Sequence, residues 1–216
     1  MARENRLEAG VIRNDRLMAD GRTIRYYDTQ GQVRTVEDAR PKEEQPGIGE
    51  LRLDPLVNEW VAMASHRQGR IFLPPKELCP LCPTTGELLT EIPEQNYEVV
   101  VFDNRSPSFR PPVGDYALPD MLGPGTDIGS SAGKCEVICF TADHGQAFKD
   151  LTPARVRTLL EAWRDRVREL SQESFIAHIA PFENRGEEIG VTLFHPHGQI
   201  YACLLYTSPS PRDLST

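Results

Sequence analysis

Residues 152–172 carry the clearest helix signal in this 216-residue chain. Thr152 suits the N-cap, Pro153 fits the first turn, and both choices satisfy a helix start. Val156, Leu159, Leu160, Trp163, Val167 and Leu170 recur at helical spacing. The pattern therefore predicts one apolar face packed on something flat, with arginines and acids on the other face. Around this helix the apolar runs are short. Residues 59–63, 97–102, 135–141, 175–182 and 199–206 read as strands, with a turn at 54–58 ahead of the first. Regular alternation of strand and helix is missing and no internal repeat is present. The chain thus reads as α+β, with helices packed on a mainly antiparallel sheet.

The signal is weaker toward the N-terminus. Residues 1–50 are polar and highly charged, and read as an N-terminal arm and linker. Short strands are expected at Val11-Ile12 and Arg25-Tyr26-Tyr27, around a turn at Asp20-Gly21. Residues 41–49 have linker composition. The first forty or so residues are expected to attach loosely, with the compact part, residues 51–202, beginning near Leu51. Residues 65–83 read as loop. Residues 106–131, rich in Pro, Gly and Asp, make an unusually long irregular stretch, which in a compact domain points to function or mobility.

Composition closes off several functions. The net charge of −8 lacks the basic excess of a general nucleic-acid binder, while local arginines still suit a small phosphorylated substrate. No run of about 18 apolar residues predicts a membrane span. The charged start, Met1-Ala-Arg-Glu-Asn-Arg6, lacks the apolar core of a secretory signal, so a cytoplasmic location is expected. Five cysteines, an odd number, fit a disulfide framework poorly. Cys79-Pro-Leu-Cys82 instead has metal-knuckle spacing. Two further ligands would close a zinc site, and His144, His195, Cys135 and Cys139 are all available.

The segment with most chemical content is residues 182–201. Asn184-Arg-Gly186 suggests a turn, and Gly190 allows close backbone approach. His195 and His197, two apart, share a face if the backbone is extended, and Gln199 continues that side. A neutral imidazole can attack phosphorus through one ring nitrogen when the other nitrogen has a partner that fixes the tautomer. A nearby backbone carbonyl can supply that partner. The Gln199 amide can then donate to a phosphoryl oxygen that gains charge. The forks of Arg67 and Arg70 suit phosphate oxygens, and Asn104-Arg105 follows a strand, a common place for site residues.

Together these segments resemble the galactose-1-phosphate uridylyltransferase family, a branch of the histidine-triad superfamily. The resemblance spans about residues 51–202. It rests on Arg52-Leu-Asp-Pro-Leu56, Trp60-Val61, His66-Arg67, Arg70, Phe72-Leu-Pro-Pro75, Cys79-Pro-Leu-Cys82, Val101-Phe-Asp-Asn104, Phe182-Glu-Asn-Arg-Gly186 and His195-Pro-His-Gly-Gln199. It implies a histidine-triad-like fold and a ping-pong transfer of UMP between UDP-glucose and galactose 1-phosphate, a step of galactose metabolism. His197 would be the nucleophile, oriented by the Pro196 carbonyl, and Gln199 would hydrogen-bond the transferring phosphoryl group. Cys79, Cys82, His144 and His195 would hold zinc. Arg67, Arg70 and Asn104 would lie near nucleotide and phosphates, and Asn184, Gly190, Val191 and Thr192 would line the phosphate site. Phe194 departs from the expected polar residue or proline, and Arg105 also departs from the pattern.

In this family a second half normally follows, and members are homodimers that share site residues. Here residues 203–216 read as a non-native tail, so an incomplete pocket and little turnover are expected of the chain. Two other readings remain: a related adenylyl-transferring sugar-phosphate enzyme with the same histidine, and a non-catalytic zinc-stabilised nucleotide-binding domain.

Overall fold

Short segments of alternating pattern build two antiparallel sheets in the computed structural model, which describes residues 3–42, 47, 49–64, 73–86, 88–112 and 128–203. The strands are β1 (Arg3–Arg6), β2 (Ile12–Leu17), β3 (Thr23–Asp28), β4 (Glu50–Asp54), β5 (Glu59–Met63), β6 (Val99–Asp103), β7 (Ile128–Ser130), β8 (Gly133–Cys139), β9 (His178–Asn184) and β10 (His197–Cys203). Seven of them form the main sheet in the order β1-β2-β3-β6-β8-β10-β9, and β5-β4-β7 form a smaller one. The α+β class with a mainly antiparallel sheet is as expected. Residues 204–216, most of the supposed tail, lie outside the described residues, whereas Cys203 pairs with both Gly133 and His178 in the main sheet.

Alternation along the strands assigns each face of the main sheet a task. Ile24, Tyr26, Val100, Phe102, Val137 and Cys139 face one side, where they pack with Cys79, Leu81, Ile92 and Tyr97. Tyr27, Val99, Val101 and Ile138 face the other, under Leu159 and Ala162 of α1 (Pro153–Leu170), the one α-helix among the described residues. The Thr152 hydroxyl accepts the Arg155 N–H at 3.2 Å, closing the N-terminus as the sequence suggested. No helix among the described residues is long and apolar enough to cross a membrane.

The buried face of α1 differs from the expected one. Leu160 is 53 % exposed, whereas Thr158 and Arg166 are fully buried. Arg166 donates from Nε and Nη2 to the two oxygens of Glu136 on β8, at 2.8 and 2.7 Å. Burial alone would raise the Glu136 carboxyl, but Arg166 and Arg25 hold it below the usual carboxylate range. Removing one member of a desolvated pair strands the other charge, which costs about 3–5 kcal/mol. Arg166→Met is therefore expected to lose stability of that order in urea unfolding, and adding Glu136→Gln should restore part of it. A single-variant loss below about 1 kcal/mol would mean that water reaches the pair.

Around this pair Arg13 bonds Asp15 and Asp165, and Glu169 meets Arg13 and Arg166. Burial pushes Glu169 up, but these guanidiniums win and bring it down to about 2. Its folded value thus lies below its ordinary value of 4.5. Its contribution is present above that ordinary value and is lost as pH falls toward the folded one. Urea midpoints should drop over this acid range, and Glu169→Gln should flatten the drop relative to wild type. Identical profiles for the two proteins would remove Glu169 from the account.

The loosely attached arm is corrected. β2 and β3 are interior strands of the main sheet, and Ile24, Tyr26 and Tyr27 are buried on its two faces. The segment after β3 is also fastened. The Arg34 guanidinium stacks 4.5 Å from the Tyr26 ring centre and pairs with Asp28, and Arg40 bridges Asp38 and Glu91 at 2.7 Å each. The high charge of this region is internal pairing that lets it pack.

Candidate active site and metal centre

The two histidines of the His-Pro-His string meet different surroundings, His195 in a cysteine–histidine cluster and His197 at a cleft. β10 runs between β8 and β9, and its first residue, His197, stands opposite Cys139 on one side and Asn184 on the other. Gly198 is required by close packing: a Cβ there would lie 2.2 Å from the Phe182 carbonyl oxygen and 3.0 Å from the Phe140 ring. The string can enter the sheet only with no side chain at that point.

His197 is 6 % exposed and borders a cleft of about 520 Å³. Its Nδ1–H donates to the His195 carbonyl oxygen at 2.6 Å. The Pro196 carbonyl, expected in that role, instead accepts the Phe140 N–H at 3.2 Å. The reason is local geometry: the peptide of Pro196 turns into the sheet ladder, which leaves the preceding carbonyl beside the ring. This bond fixes the proton on Nδ1 and leaves the Nε2 lone pair outward, with Asn184 Nδ2 3.3 Å away. Burial lowers the His197 imidazole below its usual range, so the neutral form is favoured.

Gln199, two residues along β10, lines the same cleft together with Asn104 and Asn184. Asn104 Nδ2 donates to Gln199 Oε1 at 3.1 Å. Gly190, Val191 and Thr192 form part of the wall. Gly190 has φ +76° with open space around its α-carbon, so its conformation, and not the close approach expected from the sequence, calls for glycine. Phe194 points away, 57 % exposed. Arg67 and Arg70 lie outside the described residues.

Cys79, Cys82, His144 and His195 meet in a separate cluster, with one donor atom from each within 4.8 Å of the others. Cys82 Sγ is 3.3 Å from His144 Nδ1 and 3.5 Å from His195 Nδ1. A tetrahedral ion with bonds of about 2.0–2.3 Å sets its donors roughly 3.3–3.8 Å apart, so the spacing fits. The fourfold choice left by the sequence is thereby narrowed: Cys135 packs elsewhere with Leu51 and Phe109, and Cys139 sits in the adjoining core. His195 Nε2–H donates to the Thr141 carbonyl at 2.9 Å, which turns the Nδ1 lone pair into the cluster. Burial brings the His195 imidazole down to about 4, and burial beside Cys79 pushes the Cys82 thiol up to about 12. Both are neutral without an ion, and binding one would release the thiol protons. Thr141 had no signal in the sequence, because a backbone carbonyl can come from any residue type.

Comparison with known proteins identifies the family. The family described as galactose-1-phosphate uridyl transferase, N-terminal domain, matches residues 41–206. The chain belongs to this family. It is 42% identical over 196 residues to a galactose-1-phosphate uridylyltransferase of Streptomyces lividans, covering 90% of this chain and 49% of the relative. It is 43% identical over 155 residues to the Thermotoga maritima enzyme of that name, covering 71% and 46%. A solved structure titled "Structure of uridylyltransferase" superposes with a TM-score of 0.57 at 29% identity, covering 74% of this chain and 48% of that one. The chain spans about half the length of the curated relatives it matches.

Proposed function

We propose that this domain carries the uridylyl-accepting histidine of a UDP-glucose–hexose-1-phosphate uridylyltransferase. The observation that supports it most directly is the His197 ring, locked by the His195 carbonyl with its Nε2 lone pair facing a cleft. Nε2 attacks the α-phosphorus of UDP-glucose, the bond to the bridging oxygen breaks, and glucose 1-phosphate leaves with that electron pair. A phosphate oxygen of galactose 1-phosphate then attacks the same phosphorus and restores the free imidazole. The Asn184 amide rests on the lone pair, and an incoming phosphoryl group displaces it. Gln199 donates to the phosphoryl oxygen as charge builds there. Arg67, Arg70 and the 190–192 segment hold nucleotide and phosphates, and Asn104 stands beside Gln199 at the cleft.

The same proposal assigns zinc to Cys79, Cys82, His144 and His195. These two cysteines and two histidines would hold the ion, which would supply a structural cross-link. It fixes His195, and with it the carbonyl that sets the His197 tautomer.

Incubation with UDP-glucose and intact-mass measurement tests the reading. Gain of one uridylyl group that is lost on adding galactose 1-phosphate supports it. Gain of an adenylyl group from ADP-glucose alone would move the assignment to the adenylyl branch. Stoichiometric metal with no covalent label from either donor would leave a nucleotide-binding domain.

A further inference from the structure

The Gln199 amide has two opposite ends, and only one helps a phosphoryl oxygen. Its NH2 donates, whereas its carbonyl repels. The end presented to the cleft is decided by what the other end meets. Asn104 Nδ2 lies 3.1 Å from Gln199 Oε1. Asn104 is itself oriented, because the Ser106 backbone N–H donates to its Oδ1 at 2.9 Å. A backbone N–H cannot accept, so Oδ1 must face Ser106 and the Asn104 NH2 must face Gln199. Turning either amide over would set donor against donor. The Asn104 main chain is pinned as well: its N–H donates at 2.8 Å to the carbonyl of Cys135, the β8 residue opposite Tyr201 of β10.

We propose that Asn104 is a positioning residue, which relays the fixed direction of the Ser106 N–H to Gln199 and so aims the Gln199 NH2 at the transferring phosphoryl group. The relay depends on the uridylyl-transfer reading for its chemical purpose. It makes no demand on Asn104 to touch the substrate.

A double-mutant cycle on the full 216-residue chain tests it. The first readout is the rate of covalent loading from UDP-glucose. Gln199→Ala should lose about 10²–10³ in rate, as for loss of one charge-stabilising donor. Asn104→Ala should lose at least about tenfold alone and less than about twofold in the Gln199→Ala background. Asn104→Asp keeps the shape and the acceptor for Ser106 but has no donor for Gln199, and should lose at least as much as Asn104→Ala. Losses that multiply across the cycle would mean that Asn104 acts independently, and the relay fails. The second readout needs no chemistry. The side-chain amide resonances of Gln199 should move in Asn104→Ala and in Asn104→Asp, and resonances unchanged in both overturn the relay. A wild-type chain that takes no label sinks the uridylyl-transfer reading, while the amide resonances still decide the relay.

Discussion

His197→Ala is expected to take no uridylyl label from UDP-glucose, with a loss of about 10⁵–10⁶ in loading rate, or to below detection. The size follows from what the ring supplies. In the proposed reaction it supplies the attacking atom, and neither Gln199 nor the arginines can replace a covalent bond to phosphorus. Little else should change. The ring gives up one bond to the His195 carbonyl and one long contact with Asn184, while the His195 side of the string, which faces Cys79, Cys82 and His144, is untouched. The variant should therefore retain its metal and unfold within about 1–2 kcal/mol of wild type. Loading at an unchanged rate would remove His197 from the chemistry, and an unfolded variant would be recognised by its lost metal.

Cys82→Ser should show the opposite pattern, with a large loss of stability and loss of metal. Cys82 Sγ lies at hydrogen-bonding distance from both histidines of the cluster, so its replacement disturbs both. Structural zinc contributes apparent free energies of about 10–16 kcal/mol in small peptides that fold only around it. Here Cys79, Leu81 and Ile92 also share an apolar core, so part of the fold survives without the ion. A loss of at least about 4 kcal/mol, equivalent to roughly 10 °C in Tm for a domain of this size, is expected. Prolonged chelation of the wild type should reach the same state. Covalent loading should fall in parallel, because the loop that ends in His195 also carries the carbonyl that orients His197. Elemental analysis and thermal unfolding check the claim; wild-type protein without stoichiometric metal, or a Tm indifferent to chelator, would refute it.

The helix shows how far pattern carries and where it stops. Its limits, N-cap and most of its apolar stripe are readable because capping and 3.6-residue periodicity are local properties. That Arg166 would turn inward is not local. It depends on Glu136, thirty residues earlier on β8, offering both oxygens at the right depth. The packing of the N-terminal arm is likewise a matter of distant partners. Its arginines look like a solvated surface until Asp28, Glu91 and Asp165 are brought to them.

At the site, residue types and spacing alone point to an imidazole nucleophile, an amide donor and a pair of thiols with metal-knuckle spacing. These are features of side-chain chemistry, which a sequence states directly. Which of four candidates complete the metal cluster, which carbonyl holds His197, and which end of Gln199 faces the cleft are properties of distance and direction. They were decided only when β10 was laid between β8 and β9, since a hydrogen bond depends on where its two atoms lie in space and not on their separation along the chain.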